Sequence, residues 1–319
     1  MKNIIFLIEK FKLNNSEYIK GFLNYKLLKK NDIYKDNVKC LRSKCFRIEN
    51  DHFIINDKYF SDKEEKIILK DNIIIIIKNL PNIEILKLLK KNNNYIIHEL
   101  LDIFYSKIKT YEEYFNIYSS IKSNNNSNNL INNNLIDKII VNSFHMKNIL
   151  NNYYDNIDVI YHHFDDRINN NNVININPHY FGFKKIDLSN DRINQYNIRI
   201  CRNIPRYLNN AFSTIHLCIY FKKNILFDNY TSTKLATALA TNSIFVCNKI
   251  PIFVELLGFN YDYYINNIND LGVIINKAKN TLNNKEEYKK YLEKVKPIKE
   301  KLLQEKLLRE YLKIFSKIN

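Results

Sequence analysis

Residues 229–257 read NYTSTKLATALATNSIFVCNKIPIFVELL, and the small residues gathered behind three hydroxyls invite a chemical reading. Thr231, Ser232 and Thr233 are good N-cap types ahead of KLATALA. A helix N-terminus presents backbone N–H groups and the positive end of its dipole, which suits a phosphate. Lys234 would add a point charge, and Ala236, Ala238 and Ala240 would let the helix pack close to a sheet. The plainer reading is an ordinary capped helix. A second cluster is HELLD, where His98 and Asp102 fall four apart and would share a helical face, with Glu99 beside them. A His or carboxylate there, at the C-terminal end of a strand, could deprotonate a hydroxyl. The alternative is a polar face at the edge of a cleft. A third is YHHFDD, with His162, His163, Asp165 and Asp166. Neighbouring histidines on a strand point to opposite faces, which favours a hinge-lining role over a metal site.

The elements that must carry these residues alternate between apolar runs and helical stretches. NIIFLIE (3–9), the β-branched run NIIIIIK (72–78), KIIVNS (138–143) and IDVIYHHF read as strands. Helices are expected after Asn15 or Ser16 and after Pro81, and CFRIENDHFIINDKYF has the alternation of short strands or a hairpin. This order implies a parallel sheet with right-handed crossovers. The Asn-rich stretch 123–134 reads as a surface loop, and NNNN at 169–172, followed by Pro178, as a domain hinge. The second half repeats the pattern with NIRICRN, IHLCIYF, IFVCN and YDYYIN. From Lys277 onward the chain reads as helix, with a break at Pro297. Leu303, Leu307, Leu308, Tyr311, Leu312 and Phe315 share one apolar face there. The expectation is two α/β domains, 1–170 and 171–319, and a long C-terminal helix.

Composition narrows the partners. The 319 residues are 45% hydrophobic, with 4 Gly, 5 Pro and no Trp. That is globular composition of two-domain length. The formal charge of +16 suits an anionic partner such as nucleic acid, a membrane surface or a phosphorylated small molecule. Most of it, however, lies in Lys-rich helical segments that read as solvated surface. The 5 cysteines are dispersed and none has C-x-x-C spacing, so a reducing compartment fits and a zinc site does not. Neither a signal h-region nor an apolar run near the ~20 residues of a membrane helix occurs. A soluble, cytoplasmic protein is expected.

The segment TSTKLATALATNSIFVCNKIPIFVELL resembles the donor-binding segment of GT-B glycosyltransferases, group 1 or GT4-like, with its S-T-K-L-x-x-A-x-A pattern, strand, turn and P-x-x-x-E-L helix. YDYYINNINDLGVIINKAKN continues in the same way, and LIDKIIVNSFHMKNILNNYYDNIDVIYHHFDDRI resembles the closing segment of their N-terminal domain. YFGFKK holds the place of the first strand of the second domain, which in the family often ends in Gly before basic residues at the phosphates. The likeness covers roughly the last 190 residues, in order. It implies two Rossmann-like domains facing a cleft, a donor bound mainly by the C-terminal one, and a final helix crossing back. Carried over by position, Gly182, Lys184, Lys185 and Lys234 would meet the donor diphosphate, helped by the amides of Ser232 and Thr233. Glu255 is a structural candidate only. The family's Glu pair, with seven residues between its members, falls here on Asn229 and Thr237. Thr237 could give one hydrogen bond to a ribose but could not grip the diol as a carboxylate does. The Gly-rich loop of the acceptor side is also absent.

The resemblance implies a hexosyltransferase-type enzyme that moves a sugar from a nucleotide-sugar to a hydroxyl acceptor, with no metal and no cofactor expected. The acceptor, whether glycan, lipid or protein, is left open. One alternative is a catalytically inactive GT-B scaffold that binds a partner or a sugar, suggested by Thr237. Another is a basic nucleic-acid-binding protein, but no helix-turn-helix, RNP-like or zinc-finger pattern accompanies the charge.

Overall fold

A computed structural model of the chain describes residues 2–9, 18–50, 52–55, 65–78, 80–101, 135–152, 154–164, 168, 170–181, 188–201, 211–219 and 232–318. By packing, the chain divides into a first unit, Met1–Ile160 with Leu308–Asn319, and a second unit, Tyr161–Leu307. The division falls between Ile160 and Tyr161 rather than near residue 170.

The first unit is built on a six-stranded parallel sheet. Its strands are β1 (Ile4–Ile8), β2 (Val38–Arg42), β6 (Ile73–Ile77), β7 (Tyr95–Leu100), β8 (Lys138–Val141) and β9 (Ile157–Val159), in the order β2-β1-β6-β7-β8-β9. The five isoleucines of β6 are all at most 1% exposed. That is what a strand covered on both faces demands, and it is why the run reads as β-branched without alternation. A separate antiparallel sheet joins β3 (Phe46–Glu49), β4 (His52–Ile55) and β5 (Glu65–Ile67).

After β1 the chain forms a π-turn, Tyr18–Leu23, that runs into α1 (Asn24–Lys29). Gly21 lies in that turn, and a Cβ on it would stand 2.5 Å from Ile8 Cγ2 at the end of β1. The helix therefore approaches the sheet closer than any side chain permits. Helix α2 (Ile83–Lys91) starts at Asn82, whose side chain accepts from the Glu84 N–H at 3.1 Å. Its Ile85, Leu86, Leu88 and Leu89 are buried. Helix α3 (Phe144–Leu150) is capped by Ser143.

In the second unit five parallel strands are ordered β11-β10-β12-β13-β14. They are β10 (Asn170–Phe181), β11 (Arg199–Cys201), β12 (Ala211–Cys218), β13 (Ile244–Asn248) and β14 (Tyr264–Ile265). The helices are α4 (Asn190–Gln195), α5 (Thr233–Ala240), α6 (Pro251–Leu257), α7 (Leu271–Asn283), α8 (Lys285–Lys301) and α9 (Gln304–Ser316), the last running on into the first unit.

Three expectations are corrected here. Asn170–Asn172, read as a hinge, begin β10, where pairing with β12 overrides the poor strand propensity of Asn. Pro297 lies inside α8 without ending it, and the interruption comes instead at Leu302 and Leu303. His98 and Glu99 continue β7 as a strand, because pairing with β6 and β8 on both sides holds them extended. His98 and Glu99 are therefore strand neighbours pointing to opposite faces, and His98 lies on a strand rather than a helical face, while Asp102 lies outside the described residues. On α9 most of the expected apolar face is present: Leu307, Leu308, Tyr311 and Phe315 are buried and Ile314 joins them, while Leu312 is half-buried and Leu303, just before the helix, is exposed.

Candidate functional site

In an open parallel sheet the order of strands reverses once, and ligands gather outside the carboxyl ends at that point. In the second unit the reversal lies between β10 and β12. The chain leaves β10 at Phe181 toward Gly182, Lys184 and Lys185, and leaves β12 toward Lys222 and Lys223. Residues 182–187 and 220–231 lie outside the described residues, and with them Gly182, Lys184, Lys185, Asn229 and Thr231. The chain returns at Ser232 and enters α5.

The start of α5 departs from the expected capping arrangement. Ser232 occupies the N-cap position, yet its side chain makes no cap bond. Its Oγ instead accepts from the His162 N–H at 3.2 Å and donates to the His162 carbonyl at 3.4 Å, and the residue is fully buried. The Lys234 ammonium sits 4.2 Å from the centre of the Tyr180 ring, one residue before the end of β10. A cation over an aromatic face is held there electrostatically. Thr237 donates its hydroxyl to the Thr233 carbonyl at 2.9 Å, one turn back, so that group is already engaged. Ala236 and Ala238 are buried with Leu235 and Leu239, which is how the helix packs closely on the sheet. Glu255 on α6 accepts from the Tyr161 hydroxyl at 2.5 Å, and the Lys301 ammonium donates to that hydroxyl at 3.3 Å.

In the first unit the carboxyl end of β7 carries His98 and Glu99, while Asp102 lies outside the described residues. His98 is fully buried, and its Nε2 donates to the Lys78 carbonyl at 3.0 Å. That bond puts the proton on Nε2 and the basic lone pair on Nδ1. Burial lowers the pKa of His98 to about 4, with the Lys78 bond acting weakly the other way. Lys78 turns its carbonyl inward with φ +68°, a left-handed conformation uncommon outside glycine.

Glu99 faces the other way into a buried cluster. Its carboxylate pairs with the Lys20 ammonium at 2.8 Å and accepts from the Tyr311 hydroxyl. Lys20 also donates to the Ile160 carbonyl at 3.3 Å. Lys20, Glu99 and Tyr311 are each at most 1% exposed. Burial lowers the pKa of Lys20, and Glu99 partly offsets it. Glu99 thus binds the π-turn and α9 to the sheet.

His162 and His163 are buried on the segment after β9, and their Nδ1 atoms contact the carbonyls of His163 and Phe164. Asp165 and Asp166 lie outside the described residues. Among the described residues no three His, Cys, Asp or Glu side chains gather in a way that could hold a metal ion, and no helix is long and apolar enough to cross a membrane. Sequence reasoning did not single out Tyr180, Lys20 or Lys78. Gly21, one of four glycines, was the one signal that the turn around Lys20 is special.

No protein-family model matches the sequence, and no curated protein matches it. Solved structures do. HepE from Anabaena in complex with UDP-glucose is 10% identical, with 99% of this chain aligned to 100% of that one at a TM-score of 0.57. An α-glucosyltransferase, AGT, in complex with UDP is also 10% identical, with 100% of both chains covered and a TM-score of 0.53. The chain spans only 65% of the length of the matching chain in the GtfA/B complex, at a TM-score of 0.47. Likeness over the whole of HepE and AGT, at identities this low, is likeness of fold, and the fold of this chain is GT-B.

Proposed function

We propose that the protein is a glycosyltransferase that takes its sugar from a nucleotide-sugar bound at the carboxyl end of the second unit's sheet. The observation that carries this reading is Lys234 at the first turn of α5, beside the point where the strand order reverses. The neighbours support it, because HepE is described with UDP-glucose and AGT with UDP. Thr233 and Lys234, with Gly182, Lys184 and Lys185 in the segment after β10, would receive the diphosphate. As the bond to the sugar breaks, charge builds on the departing diphosphate. The helix N-terminus and lysines offset that charge without a metal ion. Thr237 would contribute only weakly to the ribose, since its hydroxyl is engaged within α5.

On the acceptor side, His98 is the group whose protonation suits a general base, because burial keeps it neutral near pH 7. Glu99 acts as a positioning residue through Lys20 and Tyr311, and Asp102 is the remaining carboxylate of the group. The cysteines, none in a disulfide, suit a reducing, cytoplasmic setting.

The test is release of nucleoside diphosphate from a panel of nucleotide-sugars, with water as the slow acceptor and with or without EDTA. The expected result is release that EDTA leaves unchanged. Binding without release would favour the second reading, an inactive scaffold, to which the engaged hydroxyl of Thr237 points.

A further inference from the structure

We infer that Ser232 is a positioning residue that couples occupancy of the α5 N-terminus to the segment Tyr161–Phe164, by which the chain passes into the second unit. The inference rests on the nucleotide reading above, since it assigns a consequence to filling that same site.

Segment 161–164 lies in no strand, so its buried backbone groups need partners other than a ladder. Ser232 supplies both for His162, accepting from the N–H at 3.2 Å and donating to the carbonyl at 3.4 Å. Side-chain clamping of one residue's N–H and C=O does the work of a neighbouring strand. The same segment is tied elsewhere, by Tyr161 to Glu255 and Lys301, and by the Phe164 N–H donating to the Leu302 carbonyl at 3.3 Å. Among these ties, the Ser232 clamp is the one that originates next to the proposed ligand. Thr233, the residue that follows, opens α5, and the Ser232 carbonyl accepts the helical bond from the Ala236 N–H at 2.8 Å. A phosphate held on the first turn would restrain this residue, and restraint of Ser232 Oγ would restrain His162. Had Ser232 capped α5 in the ordinary way, its hydroxyl would have turned toward the helix amides, leaving nothing to reach the segment.

Hydrogen exchange of the whole protein, with UDP as the probe, tests the coupling. In the wild type, UDP should raise the melting temperature and slow exchange across 161–164 about fivefold, the factor carried by one ordinary hydrogen bond. In Ser232→Ala, UDP should still raise the melting temperature while the slowing at 161–164 disappears. In Tyr161→Phe, which loses the hydroxyl's hydrogen bonds to Glu255 and Lys301 but keeps the clamp, the slowing should persist. A purely structural Ser232 would raise the baseline exchange of Ser232→Ala and leave the response to UDP as in the wild type, which overturns the coupling. Wild-type protein that binds UDP with no change at 161–164 overturns it as well, leaving the nucleotide site standing. Absence of any melting shift with UDP or the other nucleoside diphosphates removes the proposed function, and the coupling falls with it.

Discussion

A neutral imidazole sealed at the end of a strand has a consequence for stability as well as chemistry. The unfolded chain takes up a proton at His98 as pH falls below 6.5, while the folded protein resists until about 4. Stability from this group is therefore full above pH 6.5 and is lost between 6.5 and 4, by about 3 kcal/mol in all. His98→Gln should flatten the fall in the urea midpoint between pH 7 and pH 4.5, and an unchanged slope would show that His98 is not the group responsible. Lys20 and Glu99 make a second residue-scale case. Each neutralises the other in a site that neither could occupy alone. Lys20→Met alone strands a buried carboxylate and should cost about 3–5 kcal/mol, whereas Lys20→Met with Glu99→Leu should recover much of that loss. Equal losses in the single and double variants, by urea denaturation, would contradict the pairing.

Elements place these residues, and they differ in how plainly the sequence announces them. The isoleucine run of β6 could be read directly, because a strand with two covered faces has no need of alternation. Helix α5 was equally visible in TKLATALA. What its first residue touches was not visible, since Ser232 has the type and spacing of a cap and its partner lies 70 residues earlier in the chain. Strand β10 was obscured by asparagines, whose propensity argues for a loop while the pairing with β12 is a long-range fact. Nothing in a Lys-rich stretch marked Lys20 as the buried one. Gly21 did carry a signal, and its reason is spatial. Gly21→Ala would push a methyl into Ile8 and should cost about 1–3 kcal/mol. A variant as stable as the wild type in urea would mean that the π-turn can move off the sheet.

For the whole molecule, the charge of +16 is spread rather than focused. The first unit holds 28 Lys+Arg against 20 Asp+Glu, and the second 21 against 13, so each carries +8. A surplus shared so evenly describes the composition of the chain more than a polyanion-binding face. The local signal is stronger: Lys184, Lys185, Lys222, Lys223 and Lys234 all follow the carboxyl ends of β10 and β12 in the chain. The GT-B fold gives that end of the sheet its meaning, but the residues must do the binding. The most direct measurement is the melting temperature of the wild type and of Lys234→Ala against UDP, GDP, CMP, ADP and their sugars. A ligand present at 100 times its Kd should stabilise the protein by about 2.7 kcal/mol. The expected result is a shift selective for one nucleotide that is lost or strongly reduced in Lys234→Ala. No shift with any nucleotide, or one that Lys234→Ala leaves intact, would contradict it.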